Sequence, residues 1–156
     1  MGNYDNLELD FIERTIKLIA QYTEMIKGLE FRDQLNYTLT INCLLGLVIM
    51  PKERVITFVS KEKLTNQAKE SMGLFESDIH ESISDLQELI RNLRNSIAHF
   101  DIEVISLCEN NAIDIIEFKG TENQPEIIAR FHAPEILPFL QHYVSGLSEN
   151  LRNHHI

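Results

Sequence analysis

Residues 84–106 read SDLQELIRNLRNSIAHFDIEVIS, and the fold turns on how this stretch is read. Leu86, Ile90, Leu93, Ile97 and Phe100 recur at spacings of 4, 3, 4 and 3. That is the stripe of an amphipathic helix, and it predicts one over about 84–99. Ser84 followed by Gln87 fits a capping box at its start. Beyond Phe100 the period changes. Ile102, Val104 and Ser106 alternate with Glu103 and Ile105, and such Val/Ile-rich sequence predicts a strand.

Downstream, Glu109-Asn110-Asn111 reads as a turn, Ala112 to Lys119 as a second strand, Gly120 to Pro125 as another turn and Ile127 to His132 as a third strand. The strands thus fall within about 102–132. Pro134 stands where a last helix begins, and Ile136, Leu140, Tyr143, Leu147 and Leu151 give it a stripe over about 134–152. Upstream, Ile12, Ile16, Ile19, Thr23 and Ile26 place a first helix over Leu7 to Lys27, with Gly28 as its stop. A second helix, Arg32 to Met50, carries Leu35, Leu39, Cys43, Leu44 and Leu47. Its second half is apolar nearly all round, as a central buried helix would be. Pro51 ends it, because proline cannot continue the hydrogen-bond ladder. Asn36, Thr38, Thr40 and Asn42 within it are expected to cap or to bond across to a neighbouring helix. Short helices are expected around Arg54 to Phe58 and Leu64 to Met72. The fold class is mostly α: a helical bundle with a small antiparallel β-meander before its last helix.

The chain has 156 residues, which suits a single domain over 1–156. Hydrophobic content of 44% and charged content of 24% exclude wholesale disorder. Cys43 and Cys108 sit in apolar stretches and are expected to be buried small hydrophobes rather than a bridge. No Cys/His cluster has zinc-ligand spacing, so no metal or other cofactor is expected. Met1 to Asp10 carries acids and no base, unlike a signal peptide. The longest apolar run, Leu44 to Met50, is seven residues, whereas a membrane span needs about 20. The expectation is a soluble cytoplasmic protein with no membrane partner.

Lys+Arg number 14 against Asp+Glu 24, a net charge of −10. That argues against diffuse nucleic-acid binding and leaves room for a small basic site. Glu70 to Glu88 holds six acids and no Lys or Arg, and Asp101 to Glu126 holds seven acids and one lysine. Arg91 and Arg94 lie between these runs. At about 100° per residue the apolar stripe covers one side of the helix. Arg91, Asn95 and Ala98 fall roughly opposite, and Arg94 and His99 flank them. This face looks away from the core. It is either plain surface or a site completed from outside the subunit.

Arg94-Asn95-Ser96-Ile97-Ala98-His99 resembles the Arg-x4–6-His motif of the HEPN superfamily (higher eukaryotes and prokaryotes nucleotide-binding domains), with the polar residue common there straight after the arginine. Leu44-Leu45-Gly46-Leu47-Val48-Ile49-Met50-Pro51-Lys52-Glu53 is similar to a compact branch of that superfamily found in prokaryotic plasmid and chromosomal genes. In that branch an apolar helix ending in Pro-Lys-Glu precedes the motif helix, a strand hairpin and a closing helix. The likeness spans roughly Phe31 to Leu151. It implies an up-and-down bundle that dimerises through its motif helices. It also implies a metal-independent ribonuclease of the toxin or defence type, working at a composite homodimer cleft, with RNA as substrate and an antitoxin as a further partner. Asp101 stands where one toxin branch carries a tyrosine that a partner nucleotidyltransferase modifies, so that mode of neutralisation is not expected.

The residue types suit the chemistry. RNA carries its own nucleophile, the 2′-OH. His99 can take that proton or protonate the leaving 5′-oxygen, since imidazole titrates near neutrality. Arg94 can place N–H groups on the phosphate oxygens where charge grows. Asn95 can orient His99 or bond the phosphate or ribose, and Arg91 is a further phosphate contact or a salt-bridge partner. The products would carry 2′,3′-cyclic phosphate and 5′-hydroxyl ends. The alternatives are a HEPN module that binds RNA or nucleotide without cutting it, and a pure protein-interaction bundle.

Overall fold

The computed structural model describes residues 4–49, 51, 53–107, 109 and 112–154, with Phe31 described in its backbone alone. Cys108, the turn residues Asn110 and Asn111, Met50, Lys52 and His155 lie outside the described set. Six α-helices and four strands occur among the described residues: α1 (Leu7–Met25), α2 (Asn36–Ile49), α3 (Glu53–Ile56), α4 (Asn66–Ser71), β1 (Asp78–Ile79), α5 (Leu86–Ala98), β2 (Ile102–Ile105), β3 (Ile115–Lys119), β4 (Ile127–His132) and α6 (Ala133–Asn153). A 3-10 turn, Phe31–Asp33, leads into α2. The mostly helical class, with antiparallel strands before the last helix, is as expected from the sequence.

Helix α2 packs against α1, α5 and α6, the central place its apolar second half demands. Leu44, Leu47 and Val48 are fully buried there. Leu35 is exposed ahead of the helix, and Thr38 and Asn42 face solvent. Thr40 is the buried polar residue, and its hydroxyl donates back to the Asn36 carbonyl within the same helix rather than across to another. On α1, Ile12, Ile19 and Ile26 face the core, whereas Thr23 is exposed and donates to the Ile19 carbonyl. All five stripe residues of α6 are buried, together with Phe139 and Val144.

The sheet runs β1-β4-β3-β2, every pair antiparallel. The expected meander is its β2-β3-β4 part. Strand β1, two residues drawn from before α5, is an addition that the sequence did not announce. Ala112 to Asp114 stay outside β3, which begins at Ile115. Ile116, Phe118, Ile128, Ala129 and Phe131 turn one sheet face into the common core, where Phe131 meets Phe118 edge-on at 5.8 Å and Phe139 of α6 at 5.0 Å. Glu117 faces away from that core but is only 7% exposed, and its carboxylate accepts from Arg130 Nε at 2.6 Å, its direct cross-strand partner.

Glu135 in the first turn of α6 accepts from the Phe75, Glu76 and Ser77 N–H groups and from the Ser77 hydroxyl at 2.6–3.1 Å. Burial opposes its charge. The Ser77 hydroxyl and the three N–H groups outweigh that and hold the carboxyl below the ordinary glutamate range. Gly73 ends the segment after α4 with φ +80, and a side chain there would collide with Pro138, which α6 carries in its interior.

Candidate functional site

Helix α5 is the element that presents the site, and its start is fixed one residue later than the expected capping box. Asp85, not Ser84, is the N-cap: its carboxylate accepts from the Glu88 N–H at 2.8 Å. Glu88 returns the bond, accepting from the Ser84 N–H and hydroxyl. Gln87 is thereby freed for a tertiary role. Its Nε2 lies 3.1–3.2 Å from the Ile56, Thr57 and Val59 carbonyls and holds the end of α3 against α5. Further along, the buried Ser96 hydroxyl contacts the Asn92 and Lys119 carbonyls, docking the helix on β3. Asn92, also buried, accepts from the Gln124 amide in the β3–β4 turn.

Leu86, Ile90 and Leu93 are fully buried and Ile97 partly so, as the stripe requires. Phe100 is the exception. It was expected on the apolar face, yet it is 88% exposed. The reason is that the helix has already ended. His99 is the C-cap, and Phe100 takes φ +62, the left-handed conformation. The Asp101 N–H then bonds the Ser96 carbonyl and the Phe100 N–H the Ile97 carbonyl, the pattern of a Schellman cap. Glycine is usual at that position, and a bulky residue there is strained by about 1 kcal/mol or more.

The sequence-derived site residues divide into two groups. Arg91 and Arg94 converge on Glu53, the first residue of α3: Arg91 Nη1 stands 2.7 Å from Oε1 and Arg94 Nη1 3.6 Å from Oε2. Arg94 also donates to the Pro51 carbonyl at 2.9 Å and is only 28% exposed. Its charge is felt by Tyr143, whose phenol burial pushes far above the ordinary range while Arg94 pulls the other way. Asn95 and His99 form the second group. Both are exposed, and among the described residues neither side chain has a hydrogen-bond or ionic partner. The His99 N–H donates to the Asn95 carbonyl, but the imidazole and the carboxamide do not meet. Arg94 and His99 are five residues apart, about 140° around the helix, and one subunit does not bring them together.

Glu53 is the functional neighbour that the sequence reading missed as a site residue. It was noted only within Pro51-Lys52-Glu53, and its partners lie about forty positions on in the chain. The other histidines among the described residues have structural occupations. His132 lies 3.5 Å from Glu76 and His142 3.3 Å from Glu62. His80 bonds Ser82, and His154 bonds the Asn150 carbonyl and packs on Phe58. Cys43 is buried, and burial raises its thiol pKa. Among the described residues no helix is long and apolar enough to cross a membrane.

Neither a curated protein nor a solved structure matched the chain. A family model did, over residues 1–154: HEPN pEK499 p136. That match covers the bundle, the sheet and α5 together, and it supports a nucleotide-binding or ribonuclease type of module. The chain belongs to the HEPN superfamily, in its pEK499 p136 family.

Proposed function

We propose that this chain is a metal-independent endoribonuclease of the toxin or defence type, a single domain over 1–156 that acts as a homodimer. The observation that supports it most is the outer face of α5. Asn95 and His99 stand there without side-chain partners among the described residues, and the two arginines on the same helix share one exposed carboxylate, with the Pro51 carbonyl as a further partner of Arg94. In this reading Arg94 and Arg91 grip the scissile phosphate, displacing Glu53. His99 takes the 2′-OH proton, the 2′-oxygen attacks phosphorus, and the 5′-oxygen leaves with a proton from a second imidazole. Asn95 orients His99 or holds the ribose. The angular separation of Arg94 and His99 favours a composite cleft, because a two-fold partner can supply the group that one protomer turns away. A cytoplasmic setting and a cognate antitoxin complete the proposal.

The test is cleavage of mixed-sequence, end-labelled RNA in EDTA by wild type, Arg94→Ala and His99→Ala. Wild type is expected to leave 2′,3′-cyclic phosphate ends, and His99→Ala to be about 10²–10⁴ slower. Inert wild type on several RNAs, or variants that cut equally fast, overturns the proposal.

A further inference from the structure

We propose that Phe100 is a base-stacking residue: its ring takes the face of the nucleobase beside the phosphodiester that His99 handles. The inference rests on the ribonuclease reading for what His99 does. It rests on the backbone for Phe100 itself.

Two independent features make this residue expensive to the fold. It sits in the left-handed region at φ +62, where glycine or asparagine would be unstrained. It also leaves a phenyl ring 88% exposed. Phe100 is the only non-glycine residue with positive φ among the described residues. Strain retained without a folding reason points to function. The backbone that carries the ring is held on both sides. The chain is tied on one side by the bonds from Phe100 and Asp101 to the Ile97 and Ser96 carbonyls, and on the other by the Lys119 N–H on the Asp101 carbonyl. That backbone loses little freedom on binding.

A nucleobase fits this platform better than a protein surface does. The ring's chain neighbours are Ala98, His99 and Asp101, which do not make a broad apolar patch. A stacked base needs one flat face and tolerates polar surroundings. His99 is the adjacent residue, so the backbone that carries the ring is about 3.8 Å, one Cα step, from that which carries the imidazole.

The probe is a short RNA carrying 2-aminopurine, whose fluorescence is quenched on stacking. It is titrated with His99→Ala, His99→Ala/Phe100→Gly and His99→Ala/Phe100→Trp, with mass by sedimentation and a thermal melt of Phe100→Gly alongside. Quenching is expected with phenylalanine and tryptophan. Glycine should abolish it and weaken binding about tenfold, while the melting temperature holds or rises. Absent RNA binding, quenching or affinity unchanged by glycine, or a Phe100→Gly protein that falls from dimer to monomer mass overturns the proposal, the last by assigning the ring to a second copy of the chain. Quenching that depends on Phe100 in a protein whose wild type cuts no RNA sinks the nuclease reading alone. Cleavage with unchanged quenching sinks the stacking alone.

Discussion

The first three turns of α5 and its last turn are held in opposite ways. Along the body of the helix most polar groups are engaged: the Asp85 carboxylate caps the Glu88 N–H, the Glu88 carboxylate takes the Ser84 N–H, Gln87 holds α3, Asn92 takes Gln124, and Ser96 docks on Lys119. At Asn95, His99 and Phe100 the side chains project outward, and the backbone alone is secured. The contrast separates two demands on one helix. Its body defines where the helix lies, and its end turns side chains out to solvent.

The sharpest way to break this comparison is to truncate each region. Leu93→Ala is expected to cost about 2–5 kcal/mol in urea unfolding, because a fully buried side chain leaves a cavity. Asn95→Ala is expected within about 0.5 kcal/mol of wild type. Equal losses would mean that the outer face is structural.

A second, smaller effect concerns the acid that anchors α6. Glu135 has a folded pKa below its unfolded value. Its stabilisation is therefore complete above about pH 4.3, the ordinary glutamate value, and is lost as pH falls through the lower folded pKa. Glu135→Gln is expected to cost about 2 kcal/mol at pH 7, from hydrogen bonds to a charged acceptor. The difference from wild type should shrink in acid. A pH-independent difference would assign the loss to packing.

The smallest effect is at Glu53. Glu53 itself is exposed, its contact with the half-buried Arg94 is a loose 3.6 Å, and exposed pairs such as that with Arg91 contribute about 1 kcal/mol or less. Glu53→Gln should leave stability nearly unchanged and tighten RNA binding up to about fivefold by removing a competing carboxylate. Weaker RNA binding would show instead that Glu53 positions the arginines for substrate.

Much of the architecture was legible because burial writes its period into the chain. Strand β4 was read at its observed bounds, and α6 from Pro134 and its stripe. What escaped reading has identifiable causes. Strand β1 is two residues long, too short for any alternation. Ser84 and Asp85 are both cap formers, and the choice between them was decided by Gln87 reaching carbonyls of α3, a tertiary pull. Phe100 continued the heptad-like spacing past the residue at which the backbone had already turned. The placement of the candidate residues was legible but their grouping was not: Arg91, Arg94 and Asn95 lie on α5 and His99 caps it, yet Glu53, remote in sequence, gathers only the two arginines.

The Glu117–Arg130 pair bears on all of this through strand register. A one-residue slip of β4 along β3 would set Glu117 against Ala129 or Phe131 and strand a carboxylate that is almost wholly out of water. Leaving that carboxylate unpaired out of water disfavours mispaired forms of the hairpin. The hairpin therefore works as a ruler. With its register locked, the Lys119 carbonyl stands at one height, and Ser96, bonded to it, sets how far the end of α5 extends beyond the sheet. A carboxylate on the far face of the sheet thus helps to hold the hairpin on which α5 docks.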